Sequence, residues 1–329
     1  MSPTPALRHP PLRPDWIDRQ HQILPLGDFG LESGAVITEA HLCYVTHGAL
    51  NPARDNAILV LSAIGATHHR LDFLIGPGRA LDPARYFIVC VDALGNGLSS
   101  SPSNARTQPG AKFPRFTIRD MVNSQARLLD ALGIGRLAAV CGASMGGMQA
   151  LQWAVSHPER VAKLVAMTPM AKTSTWSRAI NELSRQALAG PKPNQALWAG
   201  IMRVLASRTP DALARAMPDP GAVVGYLADL GIDAAANGPD PIDWAYQTYA
   251  YDSHDVGLTL DRAIMPALVL APALDLYNPA AEARRVAAWL PHGIFVEIPS
   301  VEGHQAASAT DPADAAFLNR AIAMFLAED

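Results

Sequence analysis

Residues 137–153 read LAAVCGASMGGMQALQW, and this stretch decides the fold. An apolar run typical of a buried strand enters it and a helical pattern leaves it, with Ser144 at the join. Gly142 and Gly146 complete the pattern G-x-S-x-G, because side chains at these positions would collide where a strand reverses into a helix. The turn points the first N–H groups of the helix towards the serine hydroxyl, which suits an oxyanion. We therefore expect a nucleophilic serine at the end of a strand.

Composition limits the classes of protein that remain. The chain has 329 residues, 49% hydrophobic and 17% charged, enough for a large core in one domain with an insertion. Its 26 basic and 30 acidic residues give a net charge of −4 without a basic stripe, which argues against nucleic acid or a membrane as a partner. The N-terminal residues contain many prolines and no apolar core of a signal peptide. Cys43, Cys90 and Cys141 lie in apolar surroundings without metal-type spacing, which predicts free thiols and a cytoplasmic location.

Strand and helix patterns alternate along most of the chain. One or two antiparallel strands are expected early, over residues 35–45. Buried strands are predicted at 56–62, 86–92, 161–167, 266–271 and 294–299, and helices at 117–132, 280–290 and from Asp311 onward. This order predicts an α/β fold with a mostly parallel central sheet and helices on both faces.

The alternation breaks between residues 172 and 257, where helical spacing continues without a strand-like run. We interpret this segment as an inserted helical lid. The predicted organisation is an irregular arm at 1–20, a core at 21–171 and 258–329, and the lid at 172–257.

A serine nucleophile needs a base to take its proton and an acid to orient that base. On this topology the expected chain order is serine, aspartate, histidine. Asp275 and His304 each follow a predicted strand, at the edge of the sheet where ligands bind. Asp252 and Asp255, at the end of the insertion, are the alternative acids.

The oxyanion requires two backbone N–H donors. The residue after the nucleophile, Met145, supplies one, and we choose Ile64, in the loop after an earlier strand, for the other. The adjacent residues His68 and His69 occupy the same loop, but neighbouring side chains diverge on most backbones, so we expect no metal there and no cofactor elsewhere.

The elbow from Gly142 to Trp153 resembles that of the homoserine O-acetyltransferase family of α/β-hydrolases. Other blocks are similar to family blocks in the same order: LIGPGRALD at 74–82, FTIRDMV at 116–122, DSHDVG at 252–257 and Gly303-His304. The resemblance implies an α/β-hydrolase fold with Ser144 as nucleophile, Asp275 as acid, His304 as base and Ile64 as an oxyanion donor. It also implies a homodimer formed through the helical insertion.

Two departures from the family concern the substrate. The family has an aspartate after the catalytic histidine that pairs with the homoserine amino group, whereas this chain has the uncharged Gln305. An arginine in the family's insertion binds the homoserine carboxylate, and Arg203 lies in the nearest stretch here, which is shortened. Together with Tyr277, these residues are the candidates for substrate binding.

Three functions follow in order. The first is a serine hydrolase that acts through an acyl-enzyme on short-chain, acetyl-type esters. The alternative is an O-acyltransferase that moves acetyl from acetyl-CoA to the hydroxyl of homoserine or another small alcohol. The third is a binding protein of the same fold without catalysis. Apolar helices in the insertion, with Trp176 and Trp198, predict an exposed face and thus a homodimer.

Overall fold

The computed structural model describes residues 9–308 and 310–328, so the first eight residues of the predicted arm lie outside it. The strands are β1 Gln22–Gly30, β2 Val36–His47, β3 Ala57–Leu61, β4 Phe87–Val91, β5 Ala139–Ala143, β6 Leu164–Met167, β7 Ala267–Pro272 and β8 Gly293–Ile298. The α-helices are α1 Ile118–Ala131, α2 Met145–Ser156, α3 Thr175–Leu188, α4 Gln195–Ala199, α5 Pro210–Ala216, α6 Val223–Asn237, α7 Pro241–Asp252, α8 Ala280–Trp289 and α9 Pro312–Ala327. Within the described residues, no helix is both long and apolar enough to cross a membrane.

All eight strands form one sheet in the order β1-β2-β4-β3-β5-β6-β7-β8. The pairs β1·β2 and β2·β4 are antiparallel, and every later pair is parallel. Core side chains cover both faces, since the successive residues Ile58 and Leu59 of β3 belong to different apolar clusters. The predicted α/β fold class, with its mostly parallel sheet, is confirmed.

The start of the sheet differs from the sequence prediction. A strand was expected only over residues 35–45, whereas β1 pairs with β2 from residue 22 onward. The register of β1 shifts on both sides of Gly27, which has a positive φ of 66°. These irregularities interrupt the alternation of buried and exposed residues by which a strand is recognised.

The helices begin where the sequence indicates. The Thr117 side chain accepts a hydrogen bond from the N–H of Asp120, and the Asp120 carboxylate accepts one from the N–H of Thr117, which completes a capping box for α1. Asp311 caps α9 in front of Pro312. The ends of these helices are therefore determined by local hydrogen bonds.

Five α-helices, α3 to α7, and a π-helical turn at Gly200–Ala206 lie between β6 and β7. The lid helices contain apolar contacts of their own. Trp198 was expected on an exposed face, but it is 4% exposed and packs at right angles to Trp244, with ring centroids 5.1 Å apart. Trp176 is 57% exposed, although its indole N–H donates to the carbonyl of Leu276.

Candidate active site

Ser144 occupies a strained turn between β5 and α2. Its φ of 59° and ψ of −123° lie in a region that non-glycine residues rarely adopt. A Cβ atom at Gly142 would lie 2.1 Å from the carbonyl oxygen of Gly146, and one at Gly146 would lie 2.5 Å from that of Leu61. The two glycines therefore let three backbone segments meet at the serine, as the motif predicts.

Ser144, His304 and Asp275 form one hydrogen-bonded line. His304 Nε2 lies 2.8 Å from Ser144 Oγ, and His304 Nδ1 lies 2.7 Å from Asp275 Oδ2. All three residues are buried. Because the carboxylate can only accept, the hydrogen is assigned to Nδ1, which leaves Nε2 free to accept the serine proton. The arrangement can generate a serine nucleophile.

Backbone donors hold the Asp275 carboxylate in place. Its Oδ1 accepts hydrogen bonds from the N–H groups of Tyr277 at 2.8 Å and Asn278 at 2.9 Å. The two alternative acids face other partners. Asp252 lies 2.7 Å from Arg185, and Asp255 lies 2.8 Å from Lys172. Within the described residues, Asp275 is therefore the carboxylate that contacts His304.

The lid contacts the base through Tyr277. The ring of Tyr277 meets that of His304 edge-on, with centroids 5.2 Å apart and an interplanar angle of 80°. Its hydroxyl donates to Asn181 Oδ1 on α3 at 2.6 Å, and Asn181 Nδ2 donates to Asp252 at 2.7 Å. Tyr277, a candidate for substrate binding, thus packs against the base. Sequence reasoning missed Asn181, a polar residue on an otherwise ordinary helix.

The predicted oxyanion donors come from adjacent strands. Met145 is the first residue of α2, and Ile64 lies in the loop after β3, which pairs with β5. Gln149 Nε2 donates to the Ser62 carbonyl at 2.9 Å, and Gln247 Oε1 accepts from the Gly65 N–H at 2.8 Å. The loop is therefore held from α2 on one side and from the lid helix α7 on the other. The sequence gave no signal for Gln247.

A cavity of about 790 Å³ lies above the serine and the base. Lid side chains, including Trp198, Met202 and Trp244, form much of its apolar wall. Ile64 and Gln305 also line it. A cavity of this size accepts a small ligand.

Charge in this cavity is largely compensated. Arg203 lines the cavity, as expected for a residue that meets substrate, but its guanidinium pairs with Asp233. Hydrogen bonds from Asn237 and Arg203 hold the pKa of the Asp233 carboxyl below its usual value, so this carboxylate stays charged. Gln305 adds no charge beside the base. The cavity therefore lacks the pair of charges that the family uses for homoserine.

Comparison with known proteins agrees with this architecture. The model of the α/β hydrolase fold matches residues 56–306. A homoserine O-acetyltransferase of Thermus thermophilus is 35% identical over 326 aligned residues, which cover 84% of each chain. A homoserine O-succinyltransferase of Stutzerimonas stutzeri is 43% identical over 177 residues, 48% of this chain, and the chain spans only 46% of that protein.

Solved structures include both transferases and esterases. The acetyl esterase MekB superposes with a TM-score of 0.84 at 27% identity, over 94% of this chain and 97% of its own. A homoserine O-acetyltransferase from Bacillus anthracis has a TM-score of 0.83 at 23% identity, over 94% and 98% of the two chains, and this likeness shows the fold alone. From the fold, the elbow and the long match in sequence, the chain belongs to the homoserine O-acetyltransferase family of α/β-hydrolases.

Proposed function

We propose that this protein carries a short, acetyl-type acyl group on Ser144 and transfers it to the hydroxyl of a small molecule. The observation that supports this proposal is the line of hydrogen bonds from Ser144 through His304 to Asp275, at the floor of the cavity. The sequence analysis placed ester hydrolysis first. The names of the relatives that match the chain in sequence favour transfer.

The proposed reaction has two halves. His304 Nε2 takes the proton of Ser144 as Oγ attacks the carbonyl of an acyl donor such as acetyl-CoA, and then gives it to the leaving thiol. The N–H groups of Met145 and Ile64 donate to the oxyanion. In the second half, His304 takes the proton of the acceptor hydroxyl, which attacks the acyl-serine and releases Ser144.

Homoserine is not the acceptor that this cavity fits best. Its ammonium group would face Gln305, and its carboxylate would compete with Asp233 for Arg203. Loss of an ionic partner in a buried site costs about 1–3 kcal/mol or more. We therefore propose an acceptor without the two charges of a free amino acid.

Hydrolysis is the second candidate, in which water replaces the alcohol as acceptor. The compensated charges around Arg203 favour it, because water needs no ionic partner. The fold likeness to the acetyl esterase MekB supports it as well.

Release of thiol from acetyl-CoA, measured with a panel of small alcohols and hydroxy amino acids, separates the candidates. Acceptor-dependent release with an O-acetyl product supports transfer. Turnover of p-nitrophenyl acetate without any acceptor-dependent use of acetyl-CoA would replace transfer by hydrolysis. Stoichiometric acylation of the protein without turnover on any donor would instead favour the binding protein, and saturation by micromolar homoserine would refute the reasoning from Gln305.

We also propose a homodimer formed through the lid. Several large apolar side chains of the lid are exposed, namely Leu183, Leu197, Leu205, Val224 and Ile232. Exposed apolar surface of this kind usually marks an interface. Light scattering at micromolar concentration should give twice the mass of one chain, and the mass of a single chain would reject the dimer.

We further propose a cytoplasmic location. Cys43, Cys90 and Cys141 are free and buried. Burial raises the pKa of the Cys141 thiol to about 12, so it stays protonated and unreactive. Free thiols are typical of proteins in reducing compartments.

A further inference from the structure

A cluster of histidines lies where the chain before β1 meets the turn after the oxyanion loop. His9 and His21 precede β1, and His68 begins a 3₁₀ turn at His68–Leu74. One potential ligand atom from each of the three residues lies within 4.8 Å of the other two. The rings of His9 and His68 both lie beside that of His21, with centroids 4.8 Å and 4.9 Å from it.

His68 has the surroundings of a metal ligand. Its Nδ1 lies 2.9 Å from Asp92 Oδ2, and its residue is only 2% exposed. Since the carboxylate accepts, the hydrogen is assigned to Nδ1, and Nε2 carries a lone pair. This buried Nε2 has no hydrogen-bond partner in the part of the chain that the structure describes. A buried polar atom without a partner is costly, and a carboxylate on the far nitrogen is the usual support of a metal-bound histidine.

The Asp92 carboxylate is itself fixed. Its Oδ1 accepts from the N–H of His68 at 2.9 Å and from Asn96 Nδ2 at 2.9 Å. The carboxylate is thus held in one orientation and holds the His68 ring in turn. Such support limits the rotation of the ring and keeps Nε2 in one direction.

The other two rings are suited to binding in their neutral form. Burial, followed by the nearby histidines, lowers the pKa of His9 to about 4. Burial and His68 also lower the pKa of His21. A neutral imidazole is the form that binds metal, so no proton has to be displaced at neutral pH.

We propose that His9, His21 and His68 bind one Zn²⁺ ion, with Asp92 orienting His68 and a fourth position open to water. Three imidazoles suit Zn²⁺ far better than Mg²⁺ or Ca²⁺, which prefer oxygen ligands. Nitrogens around a tetrahedral zinc lie roughly 3.4 Å apart. The rings must therefore close by ~1 Å, and His9 and His21 are the half-buried members that can move.

The neighbouring His69 is not part of this site. Its Nδ1 lies 2.6 Å from Asp72 Oδ2, and its Nε2 lies 3.1 Å from His9 Nε2. The predicted absence of a metal pair at His68 and His69 is thus compatible with this site, which uses one member of that pair. Zinc would connect the chain before β1 to the segment that follows the oxyanion loop, and no step of acyl transfer needs the ion.

The test uses the untagged full chain, stripped with EDTA and titrated with ZnCl₂ by calorimetry, with zinc counted by elemental analysis. Wild type and the control variant His292→Gln, an exposed histidine outside the cluster, should bind one Zn²⁺ per chain. The variants His9→Gln and His21→Gln should bind at least ~10-fold more weakly. Zinc should raise the Tm of the first two proteins by several degrees and leave the other two nearly unchanged.

Absence of a saturable site with one equivalent of Zn²⁺ in wild type would overturn the proposal. Equal affinity in wild type, His9→Gln and His21→Gln would overturn it as well. Both cluster variants change half-buried residues and leave the buried His68 intact, so a folding defect is not expected. Unfolding curves without zinc check that each variant is folded.

Discussion

The carboxyl edge of the sheet and the helical lid enclose the same cavity, but they are built differently. At the sheet edge, Ser144 and Asp275 are positioned by backbone contacts, through the close approach at Gly146 and the N–H groups that bind the carboxylate. In the lid, position depends on side-chain pairs such as Arg203 with Asp233 and Trp198 with Trp244. The difference indicates that the chemistry of the site depends on backbone geometry, whereas the choice of acceptor depends on side chains that a few substitutions can exchange.

The largest effect is expected at the sheet edge, from Asp275→Asn. The amide would offer its oxygen to the backbone but favour the wrong tautomer of His304 and leave its charged form unsupported. We expect kcat to fall about 10⁴-fold with little change in Tm.

Asp255→Asn is the matched control, because this carboxylate pairs with Lys172 away from the base. Its kcat on p-nitrophenyl acetate should stay close to that of wild type. Near-full activity of Asp275→Asn would show that the acid is misassigned, and Asp252→Asn would then be measured next.

A smaller effect is expected where the lid meets the core, at Asp243 on α7. Its carboxylate accepts from the N–H and the hydroxyl of Ser103, and burial raises its pKa to about 7. The folded state therefore binds this proton more tightly than the unfolded chain, so stability should fall as the pH rises from about 4 towards 7, by a few kcal/mol.

Thermal unfolding of wild type and Asp243→Asn between pH 5 and pH 8 tests this expectation. The Tm of wild type should decline more steeply with pH than that of the variant, whose amide can still accept from the Ser103 N–H. Parallel curves for the two proteins would show that Asp243 does not titrate in this range, and that the lid and core meet without a buried acid.

The smallest effect is expected from Tyr277→Phe, which separates the lid from the base. The substitution keeps the ring against His304 and leaves Asn181 Oδ1 without its donor. Stability should fall by about 1–2 kcal/mol, and kcat by less than ~10-fold. Tyr249→Phe, on an exposed hydroxyl of α7, is the control. A loss of kcat as large as that of Asp275→Asn would mean that the lid, rather than the sheet edge, fixes the position of the base.

The same division explains what the sequence could predict. Ser144, Asp275 and His304 each follow a strand at an expected place in the chain order, so local pattern and topology suffice to bring them together. Asn181 and Gln247 contact groups 96 and 182 residues away, and no local pattern records such contacts. The burial of Trp198 depends on Trp244 in the same way.

The N-terminal region illustrates a second limit. The strand β1 escaped prediction because its register shifts around Gly27. The cluster of His9, His21 and His68 joins residues up to 59 positions apart, and their spacing matches no metal motif. Only the folded chain brings these three rings together.

The central claim is that Ser144 carries the acyl group, and the kcat of Ser144→Ala on p-nitrophenyl acetate tests it most directly. Ser156→Ala, at the other end of α2, is the control and should keep the activity of wild type. We predict that Ser144→Ala loses at least about 10³-fold in kcat and remains folded. A loss of less than ~10²-fold, with the fold intact, would contradict the account.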